Sequence, residues 1–335
     1  MKKVKVAQFG LGPIGLESLK LAATLPWIEV IGAVDKDPAK AGRPLTELTG
    51  LGSLDGLCVS RDLEQLFRET PPEVILHTAS SSAATSLAQM RPALELGVNV
   101  ASTCEELIFP AHKSPKLAKE YDALCRHTGA RLTATGVNPG FVMDVLPLCL
   151  TGVSRTVDSI YVERVVDAAT RRQPLQAKIG SGQDSEEFRA KLQTGAAGHA
   201  GLCESVALIA HALGWALDEI TEAGEPVVAQ REVRTKFFQV PPGRTTGIHQ
   251  RAIGRRGDAE KIVLDIRMYL DAPEPHDRIL IRGQPPLDVL VSGGVAGDDA
   301  TVAALINTVP RLLAAPPGLH LPSDLALPKW AAPNA

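Results

Sequence analysis

A strand-like run, Val4 to Phe9, opens directly onto Gly10-Leu11-Gly12-Pro13-Ile14-Gly15, and this pattern constrains the chain more than any other feature. A helical stretch from Ile14 to Leu25 follows, then a second strand-like run, Val30 to Val34, ending on Asp35 twenty residues after Gly15. Strand, glycine turn, helix, strand and terminal acid in this order are the fingerprint of a dinucleotide-binding βαβ unit. The first glycine allows a tight turn, the second lets backbone approach a pyrophosphate, and the third lets helix and strand pack closely. The helix N-terminus, where Pro13 and Ile14 lie, offers free N–H groups and a positive dipole end to the phosphates. Asp35 is expected to accept from the adenosine ribose hydroxyls, which favours NAD. Lys36 beside it offsets the repulsion of a 2′-phosphate, so the expected cofactor is NAD(P). The plainer reading, an ordinary turn with Asp35 in a solvated loop, is weakened by the agreement of strand, helix, glycine spacing and acid.

The pattern continues through the first 140 residues. Val74 to His77, Val98 to Ala101 and Leu132 to Ala134 read as further strands, and Leu63 to Glu69, Ser86 to Leu96 and Pro115 to His127 carry helical periodicity. Short apolar runs alternating with amphipathic ones predict a Rossmann-type, doubly wound parallel sheet. After Gly140 the strand-like stretches Ser159 to Val166, Val227 to Phe238, Thr245 to Ile253 and Lys261 to Leu270 follow one another with few helices between. They predict an α+β domain with a mainly antiparallel sheet, covered on one face by a helix from Gly201 to Trp215. Asp299 to Leu313 reads as a helix, and Pro316 to Pro333 as a proline-rich tail. The expected domains are therefore 1–141 for the dinucleotide, with the segment 299–335 returning to it, and 142–298 for substrate and dimerisation.

Composition bounds the partners. In 335 residues, 44% are hydrophobic and 22% charged, which suits an ordinary globular chain long enough for two cores. A formal charge of -3 gives no field to attract nucleic acid. No apolar run reaches the roughly eighteen residues of a membrane span, and the N-terminus lacks the pattern of a signal peptide. The expected setting is cytoplasmic, with no membrane partner. Five scattered cysteines show no paired metal-ligand spacing, so no metal is expected.

Several residues fall at the carboxyl ends of the predicted strands, where ligands bind in open parallel sheets. Thr78-Ala79-Ser80-Ser81-Ser82 permits close approach of the cofactor, with Thr78, Ala79 and Ser80 the candidates, or, equally, caps the next helix. Ser102-Thr103-Cys104-Glu105-Glu106 places two carboxylates at the expected position of the nicotinamide. Desolvation there suits one of them to proton transfer; the alternative is a helix start, where acids favour the dipole. Asn138-Pro139-Gly140-Phe141 lies at the crossing between domains, with Asn138 a hydrogen-bonding group for cofactor or substrate and Phe141 an apolar wall. His199, flanked by glycines, and the stretch Lys178-Ile179-Gly180-Ser181-Gly182 are further substrate-side candidates, each with a capping or turn role as its plainer reading.

These residues resemble the 2,4-diaminopentanoate dehydrogenases and related native amine dehydrogenases, within the wider group with a dihydrodipicolinate-reductase-like N-terminal domain. The resemblance rests on Gly10 to Gly15, on Ser102-Thr103-Cys104-Glu105-Glu106-Leu107, on Thr135-Gly136-Val137-Asn138-Pro139-Gly140-Phe141, on Gly198-His199, and on Gly293-Gly294-Val295-Ala296-Gly297-Asp298. It implies reversible oxidative deamination of an amine to a ketone plus ammonia, with Glu105 as catalytic carboxylate and Phe141 as the bulky pocket residue. The choice of Glu105 over Glu106 follows from the resemblance. Arg171, Arg172 and Lys178 are available to anchor a substrate carboxylate; if they face solvent, simple ketones and amines fit better. No His-His-Arg-His stretch is present, which disfavours dihydrodipicolinate reduction itself. The competing readings are a reductase of C=N or C=O bonds without ammonia and a non-enzymatic NAD(P)-binding sensor. The sheet expected over 150–300 predicts a homodimer.

Overall fold

The computed structural model describes residues 2–69 and 71–331; residues 332–335, with Pro333 of the tail, lie outside the described residues. The chain divides into two units, Met1–Gly140 with Ala296–Ala335, and Phe141–Val295.

In the first unit, β1 (Val4–Phe9), α1 (Pro13–Thr24), β2 (Ile28–Val34), α2 (Leu45–Thr49), β3 (Val59–Ser60), α3 (Leu63–Glu69), β4 (Val74–His77), α4 (Ala83–Glu95), β5 (Asn99–Ser102), α5 (Pro115–Thr128) and β6 (Arg131–Ala134) alternate along the chain. The strands pair in parallel in the order β6-β5-β4-β1-β2-β3. This is the doubly wound order, whose reversal between β1 and β4 leaves a crevice at their carboxyl ends. Val74, Ile75 and Leu76 of β4 are fully buried, as expected of a central parallel strand covered on both faces. Helix α1 starts on Pro13, whose missing N–H costs nothing in a first turn. Helix α5 stops at Gly129, whose φ of +82° is the left-handed conformation glycine adopts without strain.

The second unit runs α6 (Val145–Thr151), β7 (Thr156–Asp167), α7 (Gln173–Lys178), α8 (Ser185–Gln193), α9 (Leu202–Ala212), β8 (Glu219–Val228), β9 (Val233–Arg234), β10 (Gln239–Val240), β11 (Thr245–Arg256), β12 (Ala259–Tyr269), β13 (His276–Gln284) and β14 (Leu287–Ser292). Six strands form a sheet in the order β14-β13-β7-β12-β11-β8, antiparallel throughout except where β7 meets β12. Helix α9 packs on β8, β11 and β12. Two expectations need correction here. The strand expected over Val227 to Phe238 ends at Val228; its body lies earlier, from Glu219, and β9 and β10 form a separate small hairpin. Gly224 and Pro226 look like strand breakers, yet β8 is an edge strand, where a proline lacking its N–H is tolerated. Helices α6, α7 and α8 are also more numerous than expected, because runs this short barely establish a 3.6-residue period.

Helix α10 (Gly297–Ala314) and strand β15 (Gly318–His320) belong to the first unit. Leu305, Ile306, Val309 and Leu312 of α10 are buried in one cluster with Val6, Ala22, Ile28, Val74 and Leu76. Within the stretch expected to be only a proline-rich tail, β15 pairs in parallel with β6 and completes a seven-stranded sheet. Asp122 accepts from the Leu319 N–H at 3.0 Å, and Thr133 donates to the His320 carbonyl at 2.9 Å, so the strand is held by partners far away in sequence. Among the described residues, no helix is long and apolar enough to cross a membrane.

Candidate functional site

The glycine turn sits at the carboxyl end of β1, and its glycines are demanded by geometry. Gly10 has φ +90°, and a Cβ there would lie 3.0 Å from that of Ala79; a Cβ on Gly15 would lie 1.9 Å from the Gly10 carbonyl oxygen. Gly12 differs, since a Cβ there would meet nothing within 4 Å. A side chain at Gly12 would fill the open space over the start of α1, where first-turn N–H groups have no helical partner. That cradle fits a pyrophosphate. Thr78 Oγ1 donates to the Gly10 carbonyl at 3.0 Å and accepts from Gln8 Nε2 at 2.9 Å, so Thr78 and Ala79 brace the turn. Gln8 was not singled out from the sequence. It is 1% exposed, it also donates to Gly10 O at 3.1 Å, and its only early signal was a polar residue inside a buried strand.

Asp35 ends β2 beside this turn. Its Oδ2 accepts from the Leu11 N–H at 2.7 Å and its Oδ1 from the Asp37 N–H at 2.9 Å. Burial alone would raise its pKa, but the N–H groups of Asp37 and Leu11 and the Lys40 ammonium hold it below the ordinary carboxylate range. The carboxylate is therefore ionised at neutral pH. Lys36 is exposed, and the ammonium beside Asp35 belongs to Lys40, at 3.2 Å.

Beyond β4, Ser80 Oγ accepts from the Ser82 N–H at 3.1 Å, and Ser82 is the N-cap of α4. Beyond β5, the chain forms a 3₁₀ turn, Glu105–Ile108, preceded by buried Cys104. Burial pushes the Cys104 thiol up to about 11, so it stays protonated and acts as a small apolar wall. The two carboxylates separate here. Glu106 Oε2 accepts from the Ala83 N–H at 2.8 Å, at the N-terminus of α4, and its Oε1 lies 3.2 Å from Lys113 Nζ. Glu105 is half-buried, and its carboxylate makes no hydrogen bond or ion pair among the described residues.

Beneath this turn, His77 at the end of β4 is fully buried. Its Nε2 lies 2.9 Å from Gln89 Oε1 and its Nδ1 2.9 Å from Ser102 Oγ. An amide oxygen only accepts, so Nε2 carries the hydrogen and Nδ1 accepts from the Ser102 hydroxyl. Ser102 Oγ in turn accepts from the Cys104 N–H at 3.0 Å, tying β4 to the Glu105 turn. Burial pushes the imidazole down to about 4. The unfolded chain takes up this proton near pH 6.5, while the fold refuses it until about pH 4. Stability from this group is complete above pH 6.5 and is lost as pH falls toward 4, by about 3 kcal/mol in all. Denaturant unfolding at pH 7 and pH 4.5 should show this loss in the native chain and not in His77→Gln; equal slopes in the two would overturn it.

Asn138 is half-buried in the turn that follows β6, where a Cβ on Gly140 would strike Gly136 N at 2.4 Å. In the second unit, Phe141 is half-buried and its carbonyl accepts from the Leu146 N–H at 2.8 Å. His199 is half-buried, with its backbone N–H and carbonyl both bonded to the Gln250 amide at 2.8 and 2.9 Å. Gln250 is thus a positioning group that the sequence did not reveal. Arg171 and Arg172 are half-buried, whereas Lys178 is exposed at the end of α7. In the stretch after it, Ile179 and Ser181 are buried, and a Cβ on Gly180 would strike the Phe188 ring at 2.6 Å. The described residues contain no cluster of metal-ligating side chains.

Residues 141–334 match the family described as 2,4-diaminopentanoate dehydrogenase C-terminal domain. The chain is 30% identical to 2,4-diaminopentanoate dehydrogenase of Acetoanaerobium sticklandii, over 98% of this chain and 95% of that one. It is 26% identical to an amine dehydrogenase of Streptomyces virginiae, over 97% and 96% respectively. Its fold is shared with the amine dehydrogenase of Mycobacterium smegmatis, at a TM-score of 0.84 and 24% identity over 98% of both chains. With more than half of its length matched to one family and 30% identity sustained almost end to end, the chain belongs to the 2,4-diaminopentanoate dehydrogenase family.

Proposed function

We propose that this protein is an NAD(P)-dependent amine dehydrogenase that interconverts an amine and water with a ketone and ammonia. The observation that carries the reading is Glu105, a half-buried carboxylate without a hydrogen-bond partner among the described residues, at the carboxyl end of β5 in a sheet whose glycine turn and Asp35 suit a dinucleotide. Gly10, Gly12 and Gly15, with the start of α1, would hold the pyrophosphate, and Asp35 would accept from the ribose. The nicotinamide, when bound, supplies the hydride acceptor or donor.

The remaining chemistry falls to side chains. The Glu105 carboxylate attracts the ammonium form of the substrate and, once that group has lost a proton to solvent, stabilises the positive charge that develops as the neutral amine gives up hydride and its carbon–nitrogen bond becomes an iminium. One Glu105 oxygen then takes and returns the protons exchanged when water adds and ammonia leaves. Glu106 is occupied as a cap for α4, which keeps the turn in place. Phe141 and His199 are taken as substrate-side groups, and Arg171 and Arg172 as the groups for a carboxylate, should the substrate be 2,4-diaminopentanoate rather than a simple aliphatic amine.

The test is a screen of amines, 2,4-diaminopentanoate included, with NAD and NADP at alkaline pH. The expected result is amine-dependent formation of reduced nicotinamide, and ketone reduction that requires ammonium in the reverse direction. Ketone reduction without ammonium would replace this reading with a reductase of C=O or C=N bonds. Dinucleotide binding without turnover of any amine would replace it with a sensor.

A further inference from the structure

We infer that Lys40 is the residue that admits a 2′-phosphate and so sets how strictly this protein distinguishes NADP from NAD. The inference rests on the reading of the glycine turn and Asp35 as the dinucleotide site. Asp35 cannot turn away from a ligand without giving up the Leu11 and Asp37 N–H groups, at 2.7 and 2.9 Å. Its charge therefore stays at the end of β2. Asp37 adds a second carboxylate, and Lys40 Nζ lies between them, 3.2 Å from Asp35 Oδ2 and 3.6 Å from Asp37 Oδ2. The turn that brings it there is closed by the Lys40 N–H donating to the Asp37 carbonyl at 2.9 Å.

Without Lys40, two carboxylates would face an incoming phosphate with no cation within ion-pair distance of either, since Lys36 on the same turn is exposed and pairs with neither. With it, an ammonium that is 27% exposed can bond a phosphate oxygen while still screening Asp35, which is 12% exposed. A ribose hydroxyl makes no such demand, because it donates to Asp35 and is indifferent to the cation. Lys40 even competes for Oδ2, so its loss leaves NAD affinity unchanged or slightly improved. Lys36, though adjacent in sequence to Asp35, is exposed and makes no such contact.

The experiment titrates NAD, NADP and 2′,5′-ADP into the whole protein and into Lys40→Met, Lys40→Arg and Lys36→Met, by calorimetry at low and high salt. Binding is read directly, without turnover. Lys40→Met is expected to weaken NADP and 2′,5′-ADP about tenfold or more while NAD stays within about threefold, since a charge-assisted contact is lost. Lys40→Arg should retain most of the NADP affinity, Lys36→Met should behave as wild type, and added salt should narrow the difference. An unchanged NADP-to-NAD ratio in Lys40→Met, or an equal shift in Lys36→Met, overturns this inference alone. A wild-type protein that binds neither dinucleotide overturns it together with the reading beneath it.

Discussion

Glu105→Gln is expected to lower amine turnover by about 10²- to 10⁴-fold, the span a positioned acid–base group commonly supplies, while NAD(P) affinity changes little. Glutamine keeps the size of the side chain but cannot carry negative charge or exchange a proton, so both proposed roles disappear together. On the proposed reading, nucleotide affinity is set elsewhere, by the glycine turn after β1 and the acid after β2. Glu106→Gln gives the contrast. Its carboxylate bonds the Ala83 N–H and pairs with Lys113, so its replacement should reduce thermal stability by about 1 kcal/mol, as loss of a helix cap does. Single-turnover and steady-state rates with dinucleotide titrations on both variants separate the two effects. A Glu105→Gln protein with wild-type turnover would remove this carboxylate from the mechanism.

Breaking the Arg164–Asp277 pair is expected to destabilise the second unit by about 3–5 kcal/mol, the usual result of leaving one buried charge unmatched. Arg164 Nη1 donates to both Asp277 oxygens, at 2.7 and 2.8 Å, and the side chains are 4% and 0% exposed. Burial pulls the Arg164 pKa below its ordinary value, and Asp277 opposes that shift. The pair also holds the end of the unit, since Arg164 Nη2 donates to the Val295 carbonyl and the Val295 N–H donates to Asp277 Oδ2, each at 2.7 Å. Arg164→Met and Asp277→Leu should each lower Tm by on the order of 10 °C. The double variant, which leaves no orphaned charge, should recover part of that loss. Arg278→Ala, which removes the partner of exposed Asp288, should cost far less, because solvent screens that pair. Thermal unfolding of the four proteins decides it, and equal costs for the buried and exposed pairs would contradict the argument.

The βαβ start of the chain was legible because every feature in it is local. Gly10 and Gly15 are required by contacts within the turn and its neighbouring strand, and Asp35 falls where β2 must end. The antiparallel character of the second unit was legible from its long alternating stretches, β11 and β12 above all. Edge strands and short helices were not. Strand β8 carries Gly224 and Pro226 and acquires its conformation from pairing with β11, while β15 lies in a proline-rich stretch and depends on β6 and α5.

The same division runs through the site. Sequence alone determined that a glycine turn and an acid would stand at adjacent strand ends, and that carboxylates would follow β5, because covalent spacing carries those relations. Only the tertiary structure decided which neighbour mattered. Lys40 reaches Asp35 where Lys36 does not, and Glu106 is spent on α4 where Glu105 is not. Adjacent residues leave the backbone in different directions, and which of them meets a partner depends on where a distant helix start or a returning turn has been packed.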